Sequence, residues 1–354
     1  MSPVSAPAAA SPASVTAAVP VMRGMSFGFM AKRGYYASPA AHAEVEAMAA
    51  AGVRWVALMA TVAQETFHST RLFQDFEFTP SDSELELIIA RFHRHGIKVM
   101  LKPMVECLDS SWRGNISFPN GDEQIQGRRH DYWGQWFASL AQCVAHYAAL
   151  AERTRCESYC LGCELFAAEA AVHNDRWAPV VAAARRHYAG HLCYDVQPPT
   201  LLERAEPPAW LRALDAVCIS YYTPCASGAG ASADAMMVGM QPTVAKLRAV
   251  SQALSLPIIF GETGCRSMAG AAMNPSEYRT AGTYSAEEQA NYLEAMCRLF
   301  WAEPWWGGFF WWKWDEQQQR PQFKIDPAGD TGWTLQGKAG AQTLRRWFER
   351  ADRA

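Results

Sequence analysis

From Gly24 onward the chain alternates short apolar runs with longer segments whose apolar positions recur every three or four residues. The first pattern is that of a buried parallel strand, the second that of a helix with one face on a core. The opening run is Met25 to Phe29. A helix follows over Pro39 to Ala51, with Ser38 as N-cap and Gly52 as stop. Trp55 to Met59 reads as the second strand. A helix over Pro80 to His95 follows, capped near Thr79 or Ser81 and ended by Gly96. Ile97 to Leu101 is the third strand, and Asp131 to Glu152 a long helix with Trp133, Trp136, Phe137, Leu140, Val144 and Tyr147 at helical spacing. Glu157 to Gly162 is the fourth strand.

The rhythm continues with a helix over Asn174 to Ala189, a fifth strand over His191 to Tyr194, and a helical turn over Pro208 to Leu214. The sixth strand is Ala216 to Ser220, followed by a helix over Gln241 to Leu254. The seventh is Ile258 to Gly261, followed by a helix over Ser285 to Trp301 with a Ser285/Glu288 capping signal. Gly308 to Trp312 and a helix over Gly340 to Arg353 complete the series. Eight strand-then-helix units predict an α/β fold, a single-domain (β/α)8 barrel, rather than an open sheet. The barrel domain is expected over 23–354. It follows a disordered Ala-, Ser- and Pro-rich tail over 1–22. The Ala-, Gly- and Ser-rich stretch from Thr223 to Met240 is long enough to form a mobile flap at the catalytic face.

Composition narrows the function. A chain of 354 residues, half of them hydrophobic, fits one such barrel. A net charge of -3 with no basic stripe argues against nucleic acid as a partner. The absence of an apolar run of membrane length argues against a membrane partner. The first twenty residues carry no Lys or Arg and are broken by Pro3, Pro7, Pro12 and Pro20, unlike a secretory signal, so a cytoplasmic location is expected. Ten scattered cysteines suit a reducing compartment. Cys160 and Cys163 form a C-x-x-C with no second pair at ligand spacing, which reads as buried thiols in the fourth strand, with no metal expected. Fourteen tryptophans exceed ordinary core needs and suit a sugar cleft, where indole faces stack on pyranose rings.

The chemistry centres on two glutamates. Glu164 ends Tyr159-Cys160-Leu161-Gly162-Cys163, and Glu262 ends Pro257-Ile258-Ile259-Phe260-Gly261. Each closes an apolar run beside a glycine, where a strand gives way to a loop. In a barrel the fourth and seventh strand ends face each other across the mouth, and two converging carboxylates are the minimum equipment of a glycoside hydrolase. A separation of about 5–5.5 Å would serve a retaining double displacement, and about 6.5–9.5 Å an inverting one.

These segments resemble glycoside hydrolase family 113, a family of retaining β-mannan-degrading barrels in clan A. The resemblance rests on Tyr159 to Leu165 (YCLGCEL), Ile258 to Ser267 (IIFGETGCRS), Trp112-Arg113-Gly114 with Ile116, and Phe310 to Asp315 (FWWKWD). Leu101-Lys102-Pro103, Asp215 to Tyr222 and Gly337-Lys338 also fit, so the similarity spans Gly24 to Phe348. It implies that Glu164 is the acid/base and Glu262 the nucleophile. Partial burial and the charge of Glu262 should then raise the pKa of Glu164. Many clan A barrels place Asn before the acid/base, where it bonds the sugar 2-hydroxyl. Cys163 stands there in this chain and is a poor hydrogen-bond partner.

The resemblance also implies an aromatic hydroxyl after the sixth strand that holds the nucleophile. Tyr222 fills this role, with Tyr221 the competitor. Trp312 and Trp314 share one side of the eighth strand by period two, which turns both toward the cleft, one as the floor of the −1 subsite. Trp112 and Arg113 follow the third strand and line a distal subsite, unless Arg113 pairs with a carboxylate. Lys102, Gln64 and Asp195 are candidates to hydrogen-bond sugar hydroxyls, with an internal counter-ion as the other reading of Lys102. The expected activity is retaining hydrolysis of β-1,4-linked mannosides or manno-oligosaccharides, the substrate being a β-linked oligosaccharide and no cofactor being needed. The competing expectations are a retaining β-glycosidase for a glucoside, a xyloside or a mannosyl–N-acetylglucosamine linkage, and a barrel that only binds carbohydrate.

Overall fold

The structure, a computed structural model, describes residues 21–119, 124, 125, 127–314 and 327–350. Asp315 and nearly all of the expected tail, residues 1–20, lie outside these. Eight parallel strands close on themselves: β1 (Met22–Phe27), β2 (Trp55–Gln64), β3 (Lys98–Cys107), β4 (Ser158–Cys163), β5 (His191–Val196), β6 (Val217–Tyr221), β7 (Ile258–Thr263) and β8 (Trp306–Trp314). Each pairs with the next, and β1 pairs with both β2 and β8, which leaves the barrel without an edge.

The helices between them are α1 (Pro39–Ala50), α2 (Asp82–Arg94), α3 (Tyr132–Thr154), α4 (Asn174–His187), the short α5 (Pro198–Leu202), α6 (Ala233–Leu254), α7 (Ala286–Phe300) and, after β8, α8 (Ala339–Phe348). Their starts follow the sequence signals. Ser38 accepts from the Ala41 amide, and Ser81 and Glu84 form a complete capping box. At α7, Ser285 caps the Glu288 amide, but the Glu288 carboxylate turns away. It accepts from the amides of Gly230, Gly270 and Ala272, and so ties the loops after β6 and β7 together.

Two differences from the expected elements matter. Residues 233–240, expected within a flap, form the first two turns of α6 behind a Ser232 cap. Gly239 and Pro242 look like breakers in the sequence. Gly239 is instead required because a Cβ there would collide with the Cys225 backbone. Strands β2 and β3 also run to Gln64 and Cys107, paired residue for residue along their whole length.

The core has two parts. Apolar faces of the helices pack on the outside of the barrel. Inside, Met22, Ala57, Met100, Cys160, Cys193, Ala216, Cys218, Ile259 and Phe310 fill the lower lumen. Met59, Met104 and Cys163, with Phe29 and Trp312 against them, form a layer above. The cysteines are free thiols, and Cys160, Cys193 and Cys218 act as small lumen-filling residues.

Near their C-terminal ends β4, β7 and β8 break register. Cys160 to Cys163 spans only Cys193 to Asp195 on β5, Ile259 to Glu262 only Cys218 to Ser220 on β6, and Trp311 to Trp314 only Met25 to Phe27 on β1. Each bulge inserts one residue and reverses the in–out alternation beyond it. Cys163 and Glu262 therefore face the lumen although each lies an odd number of residues past the inward Cys160 and Ile259.

Candidate active site

The bulge in β7 is built around Gly261. A Cβ there would strike the Asp195 carboxylate and the Cys218 side chain, so glycine lets β5 and β7 deliver Asp195 and Glu262 to the same spot. The Glu262 oxygens lie in a cage of donors. Lys102 Nζ donates to Oε1 at 2.8 Å, Cys163 Sγ to Oε1 at 3.4 Å, and the Tyr222 hydroxyl to Oε2 at 3.4 Å. Lys102 also donates to Asp195 Oδ2 at 2.6 Å and to the Gly261 carbonyl at 3.4 Å. Ser220 Oγ donates to the other Asp195 oxygen at 3.4 Å. Burial works against the Lys102 charge, but the carboxyl groups of Asp195 and Glu262 beside it hold its proton on, well above the usual lysine range. The ammonium thus keeps two buried carboxylates compatible.

Glu164 follows the β4 bulge in the left-handed region, φ 56°, where a non-glycine residue costs about 1–2 kcal/mol. Its amide donates to the Asp195 carbonyl at 2.8 Å, and the next amide, of Leu165, donates to the Tyr194 hydroxyl at 3.1 Å. Tyr194 in turn donates to the buried Glu169, which also accepts from Thr200 Oγ1 and the Gln197 amide. The turn that aims Glu164 is therefore fastened from β5. Glu164 Oε2 accepts from Arg113 Nη1 at 2.9 Å. Burial first, and then the charge of Glu262, push the Glu164 carboxyl above its usual range, with Arg113 and Lys102 pulling the other way. The site therefore presents one carboxylate saturated with donors and one carboxyl inclined to keep its proton. The two carboxyl groups thus stand in different environments.

The other sequence candidates divide. Tyr222 reaches Glu262, whereas Tyr221 turns outward and bonds Thr243. Trp312 faces the upper lumen and packs edge-on against Phe29, 5.0 Å between ring centroids. Trp112 lies on the rim, 42 % exposed. Beside it is a hollow of about 430 Å³ lined by Phe67, Ser111, Gly114, Asn115, Ser117 and Ala167. Lys102 is the internal counter-ion and has no free face for sugar.

Three placements, those of Asp195, Gln64 and Trp314, differ from expectation, and Arg113 takes the carboxylate pairing that was its other reading. Asp195 is fully buried and bound to Lys102, so it does not meet a sugar hydroxyl. Arg113 is buried and paired with Glu164 and Glu106 rather than lining a distal subsite. Gln64 lies outside the barrel, where it accepts from Trp136 Nε1 on α3 and donates to the Thr66 carbonyl. Trp314 is turned outward by the β8 bulge and donates from Nε1 to Glu44 Oε2 on α1 at 2.7 Å. Glu106 escaped the sequence reading. Its signal was the inward series Met100, Lys102, Met104, Glu106, which needs β3 to run past Leu101.

Cys163, Asp195 and Glu262 bring one donor atom each within 4.8 Å of one another, a spacing a cation could bridge. The Lys102 ammonium already bonds both carboxylates there and supplies the positive charge. Among the described residues, no helix is long and apolar enough to cross a membrane.

A closed (β/α)8 barrel with two carboxylates at the C-terminal ends of β4 and β7 is the architecture of a glycoside hydrolase, and this protein is one. The profile of Glycoside Hydrolase Family 113 matches residues 25–338, and the chain belongs to that family. It is similar to the β-mannanase AaManA of Alicyclobacillus acidocaldarius in complex with ManMIm, at 30 % identity and TM-score 0.80, over 93 % of this chain and 97 % of that one. A GH113 β-1,4-mannanase, solved as a complex, matches at 26 % identity and TM-score 0.80, over 94 % and 99 % of the two chains. A β-glucuronidase from Ruminococcus gnavus, at 14 % identity and TM-score 0.57 over 88 % of this chain and 46 % of that one, shares the fold alone. No curated protein matches the chain.

Proposed function

We propose that the protein hydrolyses β-1,4-linked mannosides or manno-oligosaccharides with retention, with Glu262 as nucleophile and Glu164 as acid/base. The observation that carries this reading is the contrast between the two carboxyl groups. Glu262 accepts from an ammonium, a thiol and a phenol. Glu164 is buried and biased toward its protonated form. The β-1,4-mannanases among its structural neighbours support the choice of sugar.

In the first step a Glu262 oxygen attacks the anomeric carbon as the glycosidic C–O bond breaks, and the Glu164 proton goes to the leaving oxygen. The Glu262 charge ends in the ester, which removes one of the influences that kept Glu164 protonated. Glu164 is now a base. It takes a proton from water, the water oxygen bonds to the anomeric carbon, and the ester bond breaks to restore the Glu262 carboxylate. Tyr222 and Lys102 hold Glu262 in line for attack, and Trp312 offers an apolar face to the sugar ring. Cys163 gives its weak donor to Glu262 rather than to a sugar hydroxyl, so the contact that Asn makes in many clan A barrels is missing from this position.

The test is turnover of 4-nitrophenyl β-mannoside and β-1,4-manno-oligosaccharides, beside the matching glucosides and xylosides. Glu262→Ala should be inactive, and azide should rescue it to an inverted glycosyl azide. Glu164→Ala should lose about 10²–10⁴-fold on manno-oligosaccharides and less on the activated aryl glycoside. Activity persisting in Glu262→Ala overturns the nucleophile. Turnover of another sugar without any of β-mannosides overturns the substrate.

A further inference from the structure

Arg113 is spent entirely inside the protein. Its Nε donates to the Val105 carbonyl at 2.9 Å, its Nη1 to Glu164 Oε2 at 2.9 Å, and its Nη2 to Glu106 Oε1. One face of the guanidinium lies over the Phe29 ring, 5.9 Å from its centroid. A planar fork anchored at three nitrogens cannot swing, so it fixes where the Glu164 carboxyl points. Such a cation also has a cost for a proton donor. An arginine beside a carboxyl favours the ionised form by roughly 1–3 pH units, the wrong direction for a group that must begin protonated.

Glu106 resolves the conflict. It takes the second arm of the same guanidinium and offsets part of its charge. We propose that Glu106 and Arg113 act as a positioning pair for Glu164, the arginine aiming the proton donor and the second carboxylate keeping the arginine from stripping its proton. This rests on the reading of Glu164 as the acid/base.

The other charged and titratable groups facing Glu164 do not substitute for the pair. Glu262 on β7, Asp195 on β5 and Glu169 in the loop after β4 are acidic, and Lys102 on β3 is committed to two of them. The Cys163 thiol and the Tyr222 phenol are held neutral by burial first and by the acidic groups around them. Beside Glu106 itself, the Cys107 thiol is likewise kept neutral.

Two substitutions should act in opposite directions, which a merely structural role would not produce. Glu106→Gln leaves the arginine charge on Glu164 unshared, so the alkaline limb of kcat/KM should move down by about one pH unit, a roughly tenfold change in the dissociation constant. Arg113→Met removes that charge, so the limb should move up by about as much. The same shifts should appear in the carboxyl ¹³C titration of Glu164, assigned by Glu164→Gln, which needs no substrate. The Glu106 side chain is 17 % exposed and glutamine is isosteric, so this variant keeps the fold and decides the matter if Arg113→Met does not fold. A downward shift in Glu106→Gln supports the pair, and an unmoved or upward shift overturns it. The acid/base reading fails separately, if Glu164→Ala retains full activity on manno-oligosaccharides.

Discussion

Lys102→Met tests the electrostatics of the proposed nucleophile, Glu262, most directly. The substitution keeps an apolar stem of similar length and removes one ammonium from between Asp195 at 2.6 Å and Glu262 at 2.8 Å. The facing oxygens of those carboxylates lie within 4.8 Å of each other. At that distance and an effective dielectric of about 20, two unit charges repel by about 3.5 kcal/mol, equivalent to about 2.5 pH units. Breaking a buried pair by deleting one partner costs a similar ~3–5 kcal/mol. The pair should respond by taking up a proton, leaving the nucleophile site partly neutral. The acid limb of kcat/KM for 4-nitrophenyl β-mannoside should therefore move up by about 2 units. Stability should follow with a definite sign. A carboxyl that holds its proton more tightly folded than unfolded adds stability below its unfolded pKa and loses it as the pH rises. The deficit of the variant in urea denaturation should be largest near pH 8 and shrink toward pH 4. Adding Asp195→Asn should recover part of the loss at high pH. A variant with the parent acid limb and the parent stability at pH 8 would refute the argument.

Trp312→Ala should lower kcat/KM by about tenfold with little change in Tm, whereas Trp314→Phe should cost about 1–2 kcal/mol of stability through its lost bond to Glu44 and leave kcat/KM unchanged; the reverse pattern would mean that the β8 bulge has been misassigned. Gly261→Ala should destabilise by about 1–3 kcal/mol and reduce activity, because the new methyl displaces Asp195 and with it Lys102, measurable by thermal melting and turnover. Glu169 is pushed up to about 8 by burial, against the pull of Thr200, Tyr194 and Gln197, so the protein should lose stability as the pH rises from the usual carboxylate range through about 8. Glu169→Gln should flatten that slope, and identical slopes in melts between pH 5 and 9 would count against it.

The parts of the molecule visible in its sequence are those governed by local pattern. Ser38, Ser81 and Ser285 mark helix starts because their side chains reach an amide three residues on. Glu164 and Glu262 stand out because a strand end and a glycine lie beside them. What the sequence hid was of two kinds. The bulge in β8 resets the in–out alternation, so period two assigned Trp314 to the cleft when it packs on α1. The other kind is partnership across the chain: Arg113 meets Glu164 fifty-one residues away, and Lys102 meets Glu262 across one hundred and sixty. Lys102, Asp195 and Gln64 are all candidate sugar ligands by sequence, with Lys102 also a candidate counter-ion, and only packing shows that each already has a partner.

Among the described residues, the buried cations Lys102 and Arg113 pair with the carboxyl groups of Glu106, Glu164, Asp195 and Glu262. With Glu164 protonated and the other three ionised, the set carries one net negative charge. When, in the proposed mechanism, Glu262 becomes an ester and Glu164 gives up its proton, the set carries the same charge. The glycosylation step thus moves charge from one wall of the mouth to the other without changing its total. No ion has to enter the mouth to keep it electrically level, and the fixed cations serve reactant and intermediate alike. Lys102, relieved of one anion, keeps Asp195, and Arg113 gains a full negative partner in Glu164 at the moment that residue must turn toward water.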